Sequence, residues 1–195
     1  MKRSGVIASL AFAACAFTVV VADAQPRRNA AQLQLDAFVT AVTHYCMANV
    51  GDGVDLPQVT PVEGYTLNAL TEAEAAAARM PATSKGFRLT HTRGHVVIES
   101  ATGKACQAKA DGPPAQATFD AIGAFVSDPA RGFALGLDMS NPPMTFMRIF
   151  KKEVGEDNLV VMLNGIQPRG AASMLNVTVS RMKREAPTSA ATPAN

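Results

Sequence analysis

Residues 35–46 read Leu35-Asp36-Ala37-Phe38-Val39-Thr40-Ala41-Val42-Thr43-His44-Tyr45-Cys46. Apolar side chains recur in this stretch at steps of three and four, which is the spacing of one stripe on an α-helix. The stripe consists of Leu35, Phe38, Val39, Val42, Tyr45 and Cys46. It predicts an amphipathic helix over about residues 30–49 that packs on a β-sheet. The outer face of this helix should carry Ala37, Thr40, Ala41 and His44.

Two cysteines are expected in the mature chain, Cys46 at the end of the stripe and Cys106 sixty positions later. Cys106 alternates with polar residues in a strand pattern, so both thiols should face the contact between helix and sheet. In an oxidising compartment this pair predicts a disulfide, whose closed loop stabilises the fold by about 4 kcal/mol. A reactive thiol is the alternative, but His44 is two positions from Cys46 and points to another side of the helix.

The N-terminus has the pattern of a secretory signal peptide. Lys2 and Arg3 precede an apolar run over residues 6–21, and Ala22-Asp23-Ala24 follows as a signal-peptidase motif. The run is shorter than the roughly 20 residues of a membrane span. We therefore expect a signal peptide over residues 1–24 and no transmembrane segment after its cleavage.

A lipid anchor on Cys15 is the rival interpretation of this leader, because Phe12-Ala13-Ala14-Cys15 resembles a lipoprotein processing site. The residues after Cys15 stay apolar where a lipoprotein would turn polar, which argues against the anchor. The chain is rich in alanine and has no tryptophan, a composition typical of exported Gram-negative proteins. We expect a periplasmic or extracellular protein.

The charge balance excludes one class of partner. The chain has a formal charge of +2, and loss of Lys2, Arg3 and Asp23 with the leader would lower it to +1. Proteins that bind nucleic acid usually carry a strong basic stripe, so we expect no nucleic-acid partner. Residues 25–184 should form one domain. The tail over residues 185–195 is rich in Ala, Pro, Thr and Ser and should be disordered.

Two further helices and six strands are predicted along the chain. Thr71-Glu72-Ala73-Glu74 is a capping box that opens an alanine-rich helix. A stripe from Phe119 to Val126 predicts a central helix that ends before Pro129. Strand patterns lie at about residues 87–90, 95–99, 106–110, 144–152, 159–164 and 174–182.

These elements predict an α+β fold. Short turns between strands favour antiparallel pairing, so we expect an antiparallel sheet of about six strands, in the order three strands, helix, three strands. The N-terminal and central helices should pack on this sheet. Residues 51–70 and 130–143 are interrupted by Gly and Pro and should be irregular.

His91 and His95 are candidate metal ligands because they flank the predicted turn Thr92-Arg93-Gly94. Two imidazoles that face each other across a hairpin can share an ion, with His44 as a third ligand if the first helix lies beside that turn. The alternative is a pair of ordinary histidines near an exposed turn.

Methionines accumulate in the second half of the chain, at positions Met139, Met144, Met147, Met162, Met174 and Met182. Met often fills irregular cores, so we expect most of them to pack inside. The alternative is a pocket for an apolar ligand. The Met-x-x-Met spacing of Met144 and Met147 resembles that of copper carriers, but residues three apart in a strand point to opposite faces.

The late strands also carry basic residues, namely Lys151, Lys152, Arg181, Lys183 and Arg184. One interpretation is a surface that contacts anionic lipid or cell-wall material. The other is a solvated sheet edge, since Lys and Arg protect edges from aggregation.

The sequence lacks the common catalytic motifs, including Gly-x-Ser-x-Gly, His-Glu-x-x-His and Cys-x-x-Cys. We therefore expect a non-enzymatic binding protein of the bacterial envelope, without a cofactor, whose partner is an envelope component or another protein. An envelope-directed hydrolase and a carrier of an apolar ligand or metal are the alternatives. The hydrolase requires a polar pocket that holds at least two of His44, His91, His95, Glu63 and Glu99.

Overall fold

The computed structural model describes residues 30–92 and 94–184. The predicted signal peptide, Cys15 and the predicted tail over residues 185–195 lie outside these ranges. Within the described ranges, no helix combines the length and the apolar composition that crossing a membrane requires.

Eight antiparallel strands of the described residues form one sheet, in the order β1-β2-β3-β4-β8-β7-β6-β5. The strands are β1 Thr66–Ala69, β2 Lys85–His91, β3 Gly94–Ala101, β4 Ala105–Asp111, β5 Ala134–Asp138, β6 Thr145–Val154, β7 Asp157–Ile166 and β8 Met174–Lys183. Strands β1–β4 form one meander and β5–β8 a second. The two meanders join where β4 pairs with β8.

Three helices accompany the sheet. Helix α1 covers residues 30–51, α2 covers Glu72–Ala77 and α3 covers Ala115–Val126. Thr71 and Glu74 form the predicted reciprocal capping box at the start of α2. Short 3₁₀ turns lie at Leu56–Gln58 and Pro129–Arg131.

The α+β class is confirmed, and the expected count of about six strands is matched only roughly, since the sheet of the described residues has eight. The two additional strands, β1 and β5, are the edges of the sheet and lie in segments that were expected to be irregular. Every residue of β5 is exposed, and β1 is exposed at three of its four positions. Neither strand has one buried face, so neither shows the alternation that identifies a strand in a sequence.

Helix α1 contains a π-helical turn. Its sections are α-helical Ala30–Thr40, π-helical Ala41–Cys46 and α-helical Met47–Gly51. Buried residues occur in pairs every four positions, at 37 and 38, 41 and 42, 45 and 46, and 49 and 50. On a regular α-helix a four-residue step drifts by about 40° per turn, and the wider π turn absorbs this drift.

The π turn therefore holds two columns of side chains against the sheet. One column holds residues 38, 42, 46 and 50, and the other holds 37, 41, 45 and 49. Ala37 and Ala41, which were expected on the outer face of the helix, are fully buried in the latter. Their small side chains let the helix approach the sheet closely.

Helix α1 is fixed to β3 through Gln34 and to β4 through Cys46. The Gln34 side chain donates to the carbonyl of His95 at 2.7 Å and accepts from its N–H at 2.8 Å. The predicted disulfide between Cys46 and Cys106 is confirmed, with 5.2 Å between the two Cα atoms. Both half-cystines are fully buried at the contact between helix and sheet. The helix stripe of Cys46 and the strand alternation of Cys106 predicted this position.

The C-terminal end of α1 is fixed to β3 and β8. Asn49 is fully buried; its amide donates to Val54 O at 2.8 Å and its Oδ1 accepts from Ser100 Oγ at 2.8 Å. The guanidinium of Arg181, on β8, donates to Gly51 O at 2.9 Å. Helix-end carbonyls have no partner within the helix, and Arg181 satisfies that of Gly51.

The core lies between the helices and one face of the sheet, which we call the inner face. Buried side chains on it include Leu89, Ile98, Cys106, Ala108, Val161, Leu163, Val177 and Val179. Helix α3 adds Phe119, Ile122 and Val126. The opposite face is called the outer face. Among the described helices, α2 lies over it near β2, where Glu74 pairs with Arg88 at 2.8 Å.

Removal of the disulfide should destabilise the protein. The double variant Cys46→Ala/Cys106→Ala should lose about 2–5 kcal/mol in free energy of unfolding, because the unfolded chain regains the freedom of an open loop. Urea unfolding followed by circular dichroism measures this loss. Wild-type protein unfolded in dithiothreitol is the control and should match the variant; an unchanged midpoint in both samples would contradict the prediction.

Gly94→Ala should loosen the contact between α1 and β3. A Cβ at this position would lie 2.5 Å from Leu33 O, a backbone atom that cannot move aside alone. Overpacking of this kind costs about 1–3 kcal/mol. The matched control is Gly51→Ala, whose Cβ would meet Leu159 at an ordinary 3.7 Å. Equal urea midpoints for the two variants would show that the close approach is not rigid.

Candidate functional site

The two histidines of the predicted metal pair lie on opposite faces of the sheet. His95 pairs with Thr90 and is exposed on the outer face, whereas His91 pairs with Gly94. The His91 ring stacks on Tyr65 at 4.3 Å between centroids. The two imidazoles cannot bind a common ion from these positions. The described residues also contain no group of three His, Cys, Asp or Glu side chains that could hold a metal.

The candidate residues for hydrolysis are distributed over both faces. His44 lies on α1, on the helix side, with its Nε2 2.8 Å from Thr60 O. Glu99 lies on the outer face, where it accepts hydrogen bonds from Ser84 and Lys109 at 3.1 Å each. Glu63 is exposed. Structural contacts thus occupy His44 and Glu99.

The basic residues of the late strands fall into two sets. Lys151, Lys183 and Arg184 line a shallow cleft together. Arg184 is neutralised there by Glu153 at 3.0 Å. Lys152 and Arg181 both pair in register with the buried Leu159 and lie on the inner face.

A groove of about 410 Å³ lies on the outer face, where β6 begins, β7 ends and β8 begins. Its exposed apolar side chains are Met139, Ile166 and Met174, with 56%, 42% and 49% of their surfaces exposed. Met147 and the polar Asn164 and Asn176 complete the walls. The expectation that the late methionines fill the core is wrong, because none of them is fully buried.

A β-bulge extends the apolar surface to the edge of the sheet. Leu135 pairs with Phe150, but Leu137 pairs with Ile149 instead of the residue two positions away. Phe150 and Ile149 are consecutive and face opposite sides, so the extra residue, Gly136, turns Leu137 to the outer face. Bulges re-aim side chains in this way near binding sites.

Asp138 holds the turn that carries Met139. Its Oδ1 accepts from the N–H of Ser140 and its Oδ2 from Nε of Arg148, both at 2.9 Å. Hydrogen bonds from Ser140, and next the Arg148 guanidinium, hold the pKa of Asp138 below its ordinary value. The N–H of Met139 then donates to Met147 O at 2.9 Å, which fixes one wall of the groove.

A second depression of about 450 Å³ meets the groove at Met174, Leu175 and Asn176. It continues across β8 and β4 to β3, where His95 lies at its far end. Lys109 and Asp111 line it from β4, beside Asn176 and Met174. Asn176 Oδ1 is buried between the two and accepts no hydrogen bond from a described residue. Buried polar atoms rarely stay unpaired, so this oxygen is available to a donor on a ligand. The outer face thus carries one depression with an apolar and a polar end.

The chain matches no family model, no curated protein and no solved structure. The functional argument therefore depends on the geometry of this depression.

Sequence reasoning named the methionines and gave an apolar-ligand pocket as the alternative to core packing, but it did not locate the groove. Ile166 and Leu137 carried no signal of their own, because one is the last residue of its strand and the other follows a bulge. One signal in the sequence could have indicated the groove. It is an apolar residue that follows the alternating buried positions of a strand.

Asp138→Asn should remove an acid-sensitive part of the stability. The folded pKa of Asp138 lies below the aspartate value of about 3.9 in unfolded chains. The stabilisation is therefore complete above that value and is lost as the pH falls through the folded pKa. Carboxyl-carbon NMR titration of Asp138 measures the shift.

The control for this titration is Asp120→Asn, because Asp120 lies 3.8 Å from the same guanidinium. In the control variant, the pKa of Asp138 should stay below its ordinary value. A titration of Asp138 at or above 3.9 in the wild-type protein would refute the assignment.

Proposed function

We propose that this protein is an exported, non-enzymatic binding protein that holds an elongated amphipathic molecule on the outer face of its sheet. One observation carries the proposal: three of the seven large hydrophobic side chains that the described residues expose line a single groove. Exposed apolar side chains that gather around a concavity are typical of binding sites. Methionine side chains adapt to ligands of differing shape.

The dimensions favour an elongated ligand. The two depressions together cross from β6 to β3, which is four strand spacings or about 19 Å. An acyl chain among Met139, Met147 and Met174 would bury its apolar surface. A hydroxyl or amide of the same ligand would donate to Asn176 Oδ1 and lie near His95 and Lys109.

Export supports a ligand from the envelope. The predicted leader directs the chain out of the cytoplasm, and the Cys46–Cys106 disulfide is of the kind that persists in oxidising compartments. The periplasm and the extracellular space both offer amphipathic envelope molecules. We favour a ligand carrier over a hydrolase, since the described residues that line the depression with His95 include no Ser, Thr or Cys.

An uncharged dye tests the groove. N-Phenyl-1-naphthylamine should bind the wild-type protein, and the chain has no tryptophan to interfere with its fluorescence. Met174→Glu places a carboxylate between the two depressions and should weaken binding by at least about tenfold, as loss of one buried methionine contact implies. 1-Dodecanoylglycerol, which has hydroxyl donors and an acyl chain, should displace the dye.

Met182→Glu is the matched control. Met182 is on the same strand and the same face, with 56% of its surface exposed, but it lies outside the groove. Its variant should bind the dye as the wild-type protein does. Equal losses in the two variants, or no dye binding at all, would remove the groove as the binding site.

A further inference from the structure

A second cleft lies on the helix side of the sheet, away from the outer depression. It encloses about 680 Å³ between the C-terminal half of α1 and residues 130–133, with β6 and β7 at its base. Its apolar walls include Met47, Phe133, Val154 and Leu159. Two cationic side chains, Arg131 and Lys152, also line it.

Both cations lie over aromatic rings and not beside carboxylates. The guanidinium carbon of Arg131 is 3.4 Å from the centroid of Phe125, and the ammonium of Lys152 is 5.8 Å from that of Phe133. Contacts of this kind orient a cation but leave its N–H donors free. Within residues 30–92 and 94–184, neither cation has an ion-pair partner.

One N–H donor of Arg131 needs an acceptor that the described residues do not supply. Its Nε–H is buried, and no described residue accepts a hydrogen bond from it. A buried donor without an acceptor is costly, and water or a bound group satisfies most such donors. The contact with Phe125 holds the guanidinium in place. Two oxygens of a carboxylate or a sulfonate can accept from the fork of its N–H donors.

The negative groups near the cleft do not cancel this charge. Glu153 is paired with Arg184 at 3.0 Å, and Asp52 is exposed at the rim. The last carbonyls of α1 would present the negative end of the helix dipole. Arg181 bonds two of them, those of Val50 and Gly51.

We propose that the helix-side cleft binds an organic anion, a carboxylate or sulfonate with an apolar body. The anionic group would accept from Arg131 and Lys152, and the body would lie against Met47, Phe133 and Leu159. This site is independent of the outer depression, since the sheet separates the two.

The probe for this site is 8-anilinonaphthalene-1-sulfonate, the anionic relative of the uncharged dye used on the outer groove. Arg131→Gln and Lys152→Gln should each raise its Kd by about tenfold or more, as loss of one charged hydrogen bond implies. Lys183→Gln, which removes a lysine outside the cleft, should leave the Kd unchanged. The wild-type affinity should fall as sodium chloride is raised.

The two dyes separate the two sites. Arg131→Gln should not affect the uncharged dye, and Met174→Glu should not affect the anionic one. If Met174→Glu weakens the anionic dye and Arg131→Gln does not, the anion lies in the outer groove and this proposal is wrong. Unchanged Kd values in both Arg131→Gln and Lys152→Gln would overturn it as well.

Two further measurements guard the result. Thermal unfolding of each variant shows whether its fold is intact, and Lys152→Gln provides a second test if Arg131→Gln unfolds. Inorganic phosphate has the charge without the apolar body and should not displace the dye at equal concentration. Displacement by phosphate at that concentration would overturn the apolar part of the proposal.

Discussion

The attachment of α1 across the junction of the two meanders organises this fold. The meanders meet along a single strand pair, β4 with β8, and α1 lies over that junction. The disulfide from Cys46 to Cys106 ties the helix to β4, and Arg181 ties its end to β8. One helix thus contacts both halves of the sheet covalently or through hydrogen bonds, and the π turn keeps its buried face in line over that length.

The same arrangement explains why both candidate sites exist. Helices α1 and α3 lie on the inner face, so most of the outer face has no helix to cover it. Side chains that would fill a core in a three-layer fold are left exposed there, among them Met139 and Met174. On the helix side, the cleft opens where the end of α1 faces Arg131 and Lys152. The thickness of the sheet thereby separates the apolar candidate site from the cationic one.

The predictions that succeeded came from residues with one buried face. The stripe that ends at Cys46 and the alternation around Cys106 both report burial, and burial is periodic in the sequence. The predictions that failed concerned residues without it. Strand β5 is exposed throughout. The candidate metal pair of His91 and His95 did not take account of the register of their hairpin, which places them on opposite faces.

The sequence alone determined the α+β class, the partners in the disulfide, the capping box of α2 and six of the eight strands, because each depends on local periodicity or on chemistry within a few residues. Only the tertiary structure decided the sheet order, the bulge that turns Leu137 outward, and the two clefts. A groove forms where the ends of strands distant in the chain come together, and an unpaired donor such as that of Arg131 is defined by neighbours that no local pattern specifies.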